Sequence, residues 1–171
     1  MKAYQVVEFG APLAKGIGLG PVAAMDIDRA KLVLAQESYG ADFVFDSRAA
    51  GVQEQLQQQT GGLIGVVDFV GSQQTCALAL STLRIGGTYV DVGLFGGALQ
   101  APLAVLVQRQ LVLRGSYVGT PEELRELAAL VRDGRIKPIP IRNEPIETVN
   151  EGLGQLRVGK VTGRIVHVHR D

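Results

Sequence analysis

Short runs of β-branched and aromatic residues alternate along this chain with segments whose apolar residues recur every three or four positions. That is the pattern of strands followed by amphipathic helices. Val22 to Ile27 is predicted as a buried strand, ending on Asp26-Ile27-Asp28. Arg29 to Tyr39 follows as a helix with Leu32, Ala35 and Tyr39 on one face and Asp28 suited to its N-cap. Phe43-Val44-Phe45 is a short strand, Ala49 to Gln59 a polar Gln-rich helix, and Gly65 to Val70 a strand again. Ser72 is placed to cap a helix whose buried face carries Cys76, Ala79, Leu80 and Leu83, with Gly86-Gly87 ending it and Thr88 to Val92 forming the next strand.

Beyond Gly96-Gly97 the pattern gives a helix over Pro102 to Gln108 and a strand over Leu111 to Val118. Thr120-Pro121-Glu122-Glu123 combines an N-cap, a proline at the first helical position and a capping box. Leu124, Leu127, Ala128 and Val131 form the expected buried stripe of that helix, and Gly134 its stop. Ile136 to Ile141 is interrupted by proline and predicted as an edge strand at best. Val149, Leu153 and Leu156 mark a last helix, weakened by Gly152 and Gly154, and Ile165 to Val168 is the closing strand. Strands alternating with crossover helices imply an α/β fold, a doubly wound and mainly parallel sheet with helices on both faces. Ligands bind such sheets at the carboxyl ends of the strands.

Composition narrows the function classes. The 171 residues carry 17 basic and 17 acidic side chains, so no electrostatic footprint for nucleic acid is present. A single cysteine excludes a disulfide framework, and no Cys/His spacing resembles a zinc finger. Apolar runs such as Pro102 to Val107 stop far short of the roughly 20 residues that span a bilayer. Met1-Lys2-Ala3-Tyr4 opens no secretory signal, and a cytoplasmic protein is expected.

Candidate chemistry gathers at strand ends. A carboxylate at Asp26 can accept both hydroxyls of an adenosine ribose and repel a 2′-phosphate, which favours NAD over NADP; alternatively Asp26 or Asp28 caps the following helix. Gly16-Ile17-Gly18-Leu19-Gly20 does not make a phosphate loop, because Pro21 stands at the third glycine position and a strand follows directly. Gly86-Gly87 and Gly93, Gly96 and Gly97 have the spacing of ordinary turns. Cys76 is expected to behave as a small hydrophobe. His167 and His169 share one side of the last strand, as a surface pair rather than a metal site.

From Pro21 onward the chain resembles the cofactor domain of the medium-chain, zinc-type alcohol dehydrogenases. The resemblance is carried by VAAMDIDRAKLVLAQESYGADFVFD, QQTGGLIGVVDFVGSQQT, LRIGGTYVDVGLFGG, LRGSYVGTPEELRELAALVRDGRIKP and VTGRIVHV. MKAYQVVEFGAPL, residues 1–13, is similar to the opening strand of the family's catalytic domain. The resemblance implies a Rossmann-type sheet whose first strand and glycine loop are missing, with residues 1–13 a catalytic-domain remnant and 14–171 an incomplete NAD-binding domain that ends in a return strand. It implies that Asp26 holds the adenosine ribose, with Lys31 nearby, and that Val70 and Gly71 lie along adenine and ribose. Val92, Gly93 and Leu94 would hold the nicotinamide amide, Val118 would add a backbone contact, and Arg164 would pair with the pyrophosphate. The cofactor implied is NAD. Zinc belongs to the family, but no zinc ligand is identified in this chain, and no residue is assigned to the chemical step.

A break between Leu13 and Ala14 would remove most of the catalytic domain, with Ala14 to Gly20 as the tail of a lost helix. Two pairings remain for Tyr4 to Phe9. It can serve as the central strand, with Ala11 to Gly20 as a short crossover, or it can pair with Ile165 to Val168, which is the pairing expected. Functionally, an NAD-dependent alcohol dehydrogenase by descent, inactive as this chain alone, stands first. The alternatives are a non-catalytic nucleotide-binding or dimerisation module, with copies pairing through Leu111 to Tyr117, and a zinc-independent quinone-reductase-like oxidoreductase, against which Asp26 argues. The substrate implied is a small alcohol or aldehyde, with neither nucleic acid nor membrane as a partner.

Overall fold

A parallel sheet dominates the computed structural model, which describes residues 5–7 and 21–169. Its strands are β1 (Gln5–Val7), β2 (Val22–Asp26), β3 (Phe43–Asp46), β4 (Leu63–Asp68), β5 (Leu83–Asp91) and β6 (Val112–Gly115). Their order across the sheet is β3-β2-β1-β4-β5-β6, with every neighbouring pair parallel. This is the Rossmann-type order, so the α/β expectation holds.

The centre of the sheet corrects one expectation. Tyr4 to Phe9 was expected to pair with Ile165 to Val168, but Gln5–Val7 lies between β2 and β4. Val6 stands in register with Ala23 on one side and Val66 on the other. An interrupted sheet would leave a row of backbone donors and acceptors unpaired on both β2 and β4, and each buried unpaired group costs roughly 1–3 kcal/mol. Gln5–Val7 pairs with Val22 and Ala23 of β2 and with Gly65, Val66 and Val67 of β4, so the position of the central strand is filled. The crossover over Ala11 to Gly20, the helix tail from Ala14, the glycines from Gly16 to Gly20, the Leu13–Ala14 break and the rest of residues 1–13 lie outside the described residues.

Alternation along the strands divides the sheet's faces. On one face Ala23, Phe45, Leu63, Val66 and Tyr89 pack with Val52 and Leu56 of α2 (Val52–Thr60) and Ala79 and Leu80 of α3 (Gln73–Thr82). Ala24 and Ala41 cluster separately with Ala35 of α1 (Arg29–Tyr39). Asp28 caps α1 as expected, its side chain accepting from Ala30 N, and Gly40 ends the helix in the left-handed region at φ 72°. Ser72 caps α3 and completes a capping box with Thr75. Helix α2 starts later than predicted, because the chain first turns through Gly51 at φ 73°.

Helix α3 also ends earlier than the Gly86-Gly87 stop. Leu83 is its C-cap, is 1% exposed and opens β5. The Thr82 hydroxyl bonds back to the carbonyls of Leu78 and Ala79, and the Arg109 guanidinium donates to those of Leu80 and Leu83. The carbonyls of Leu80 and Leu83 at the helix end are thus satisfied without a glycine cap.

After α4 (Leu103–Gln108) and β6 comes α5 (Pro121–Arg132), which starts as predicted. Thr120 Oγ1 accepts from Glu123 N at 3.2 Å, while Glu123 Oε2 accepts from Thr120 N at 2.6 Å. The Thr120 backbone amide and hydroxyl hold the Glu123 carboxyl below its ordinary value. The helix's apolar stripe departs from expectation. Leu124 is 66% exposed, Leu127 and Ala128 are exposed, and Val131 is half-buried. Periodicity identified the stripe; it carried no information about a partner surface.

Residues from Lys137 onward form a second compact unit. It contains β7 (Ile141–Pro145), a 3-10 turn over Ile146–Thr148, α6 (Val149–Arg157) and β8 (Arg164–Val168), with β7 and β8 pairing in parallel. Pro138 and Pro140 precede β7, so the strand begins where Ile136 to Ile141 was expected to end. Gly152 has a packing role: a Cβ there would meet His167 Nε2 at 2.7 Å, and His167 Nδ1 lies 3.1 Å from the Pro145 carbonyl oxygen, to which it donates. His167 is therefore half-buried rather than one of a surface pair, and His169 lies exposed beyond the strand.

Burial separates the two kinds of leucine. Leu63→Ala in the fully buried core is expected to cost about 2–5 kcal/mol in urea denaturation. Leu124→Ala is expected to stay within about 0.5 kcal/mol; equal losses would show that the α5 stripe is packed.

Candidate cofactor site

The carboxyl ends of β2, β4 and β5 lie on one edge of the sheet and carry the candidate residues Asp26, Val70, Gly71, Val92 and Gly93. At β2 the helix cap is Asp28, whose Oδ1 accepts from Ala30 N, and Asp26 Oδ1 accepts from Asp28 N at 2.8 Å. Asp26 is half-buried at the strand end, and Lys31 is half-buried one turn into α1.

Strand β4 stops at Asp68, two residues before the predicted end, and the cause is the side chain of Asp68 itself. Its Oδ1 accepts from Val70 N at 2.9 Å and from Gly71 N at 3.0 Å, which turns the chain out of the sheet. Its Oδ2 accepts from the Tyr89 hydroxyl at 3.0 Å. Its backbone carbonyl accepts from Val92 N and Gly93 N at 2.9 and 3.0 Å. Asp68 is 5% exposed, so these bonds form away from solvent, where an unmet partner would be costly.

Gly71 and Gly93 face each other backbone to backbone. A Cβ on Gly71, which sits at φ 68°, would strike the Gly93 carbonyl; one on Gly93 would strike the Val70 carbonyl and Gly71 N. The turn-like glycine after β5 is thus required by the approach of two loops. Beside them, a pocket of about 260 Å³ is lined by Gly71, Cys76, Tyr89, Asp91, Leu113 and Arg114, among others. Asp91 Oδ1 is buried there without a protein partner.

Cys76 is half-buried and lines the pocket beside Tyr89, whose hydroxyl donates to Asp68. Burial pushes the Cys76 thiol up; the Tyr89 hydroxyl opposes this, and the charges of Asp68 and Asp91 add to the rise. Burial, then the Asp68 charge and hydrogen bond, push the Tyr89 phenol far above its ordinary value. Both groups stay protonated donors near neutral pH.

Leu94 and Val118 are 82% and 80% exposed. Val118 is held at φ 47°, a left-handed conformation that costs a β-branched residue of the order of 1–3 kcal/mol. Arg164 belongs to the smaller unit, at the start of β8, where its backbone amide donates to the Pro140 carbonyl at 2.9 Å. Asp68, Tyr89 and Asp91 carried no signal beyond acidic or polar residues ending apolar runs.

The donor set does not fit zinc. Among the described residues no three His, Cys, Asp or Glu side chains converge.

Residues 8–133 match the family described as "Zinc-binding dehydrogenase". An alcohol dehydrogenase from Rhizobium meliloti (strain 1021) is 38% identical over 153 residues, covering 90% of this chain and 44% of that protein. An NAD-dependent alcohol dehydrogenase from Saccharolobus solfataricus is 31% identical over 161 residues, 90% of this chain and 45% of that protein. The crystal structure of an alcohol dehydrogenase from the archaeon Aeropyrum pernix matches 97% of this chain and 50% of its own length, with a TM-score of 0.87 and 31% identity. The chain thus spans about half the length of the proteins it matches.

The glycine contact yields a direct test. Gly93→Ala is expected to cost about 1–3 kcal/mol in chemical denaturation, because neither loop backbone can yield. Gly115→Ala, where a Cβ has open space, is expected to cost less than about 0.5 kcal/mol. Equal stability of the two variants would contradict the close approach.

Proposed function

The chain belongs to the zinc-binding dehydrogenase family, and on that premise we propose that it is the nucleotide-binding part of an NAD-dependent alcohol dehydrogenase. The observation that carries the reading is the placement of Asp26, Val70-Gly71 and Val92-Gly93 at the carboxyl ends of three parallel strands of one sheet, β2, β4 and β5. In this reading Asp26 accepts the adenosine ribose hydroxyls, Lys31 lies beside them, and Val70 and Gly71 line adenine and ribose. The backbone of Val92, Gly93 and Leu94 holds the nicotinamide amide, and Val118 contributes a second backbone contact. Bound NAD supplies the hydride acceptor for an alcohol carbon.

The residues that would activate an alcohol are not identified in this chain, and the zinc of the family finds no ligand set among the described residues. We therefore assign binding to this chain and no catalytic step. Among the described residues no helix is long and apolar enough to cross a membrane; the cytoplasm is the proposed location. Strand β6 borders the sheet with Val112 half exposed, which supports pairing of two copies through Leu111 to Tyr117.

The reading is tested by NMR titration of the 171-residue chain with NAD and with NADP. Weak binding of NAD with amide shifts at Asp26 to Asp28 is expected, at least about tenfold tighter than NADP, with the preference lost in Asp26→Ala. No alcohol-dependent NADH should form. Equal response to the two cofactors would remove the Asp26 assignment, and turnover with stoichiometric zinc would overturn the assignment of binding alone.

A further inference from the structure

We infer that Asp68 is a positioning residue that fastens the two cofactor-facing loops together, so that Val70-Gly71 and Val92-Gly93 move as one unit. The functional half of this inference rests on the proposed NAD reading; the mechanical half does not. Five donors end on this one buried residue: the Val70 and Gly71 amides and the Tyr89 hydroxyl on its carboxylate, and the Val92 and Gly93 amides on its carbonyl.

The two loops follow different strands and are separated by the whole of α3. Hydrogen bonding through Asp68 therefore links segments that the chain itself leaves independent. Gly71 and Gly93 add a steric half to the clamp, since their backbones touch where side chains would stand. Tyr89 reaches Asp68 from the neighbouring strand β5 and fixes the carboxylate's second oxygen. Its phenol is held protonated by burial and by the Asp68 charge, so this donor persists. The Phe95 amide adds a further tie by donating to the Val70 carbonyl at 3.0 Å. Val70-Gly71 and Val92-Gly93 are the segments proposed to line opposite ends of the cofactor, so a shared anchor sets the spacing between its two halves.

Amide hydrogen exchange by NMR tests the clamp in the unliganded chain. In the wild type, the Val70, Gly71, Val92 and Gly93 amides are expected to share one opening rate across a denaturant series; separate rates would overturn the inference. Asp68→Ala should speed exchange at Val70 and Gly71 by at least about tenfold. Asp68→Asn keeps an oxygen acceptor for both amides and should restore their slow exchange, and Tyr89→Phe should leave it intact. Failure of Asn to rescue would count against the proposal. If Asp68→Ala does not fold, the wild-type rates and the Asn variant decide. NAD titration of the same proteins separates the two readings. If NAD binds the wild type, Asp68→Ala should weaken it at least about tenfold and Asn should recover it. If NAD leaves the wild type unshifted while the four amides still open together, the NAD assignment fails and the clamp stands.

Discussion

Backbone pairing at the centre of the sheet is the constraint on which the rest of this molecule depends. Strands β2 and β4 each present a full row of amides and carbonyls to the gap between them, and no side chain or helix can satisfy such rows inside a doubly wound sheet. Gln5–Val7 fills the gap and pairs on both sides. Only with that slot filled do β2, β4 and β5 belong to one continuous sheet, and only then do their carboxyl ends form a common edge. The placement of Asp26 relative to Asp68 is therefore a consequence of a three-residue strand.

At that edge the architecture relies on backbone rather than on reactive side chains. One buried carboxylate turns β4, receives a phenol from β5 and shares its carbonyl with the loop after β5. The glycines let the two loops close on each other. Such a surface suits a flat, polar ligand held through amides and carbonyls. Cys76, the chain's one thiol, is kept protonated chiefly by burial.

What the sequence made legible was local. The Asp28 and Ser72 caps and the Thr120–Glu123 box follow from spacing of a few residues, and each formed as predicted. Long-range determinants were not legible. The end of α3 was misplaced because Arg109, far along the chain, supplies the cap that Gly86-Gly87 was expected to give. The end of β4 was misplaced because a side-chain bond, not a glycine, turns the chain. Gly152 looked like a weak point in a helix, but it is the space His167 occupies. The exposed stripe of α5 shows the converse failure, a correct helix whose burial did not follow from its pattern. The central strand was the hardest choice, because both pairings for Tyr4 to Phe9 obey the same alternation and differ only in which edge they satisfy.

Long-range nuclear Overhauser contacts in the isotopically labelled 171-residue chain test the central strand most directly. The account predicts backbone contacts from Val6 to both Ala23 and Val66. Contacts from Gln5–Val7 to Ile165–Val168 in their place, with none to β2 or β4, would contradict it.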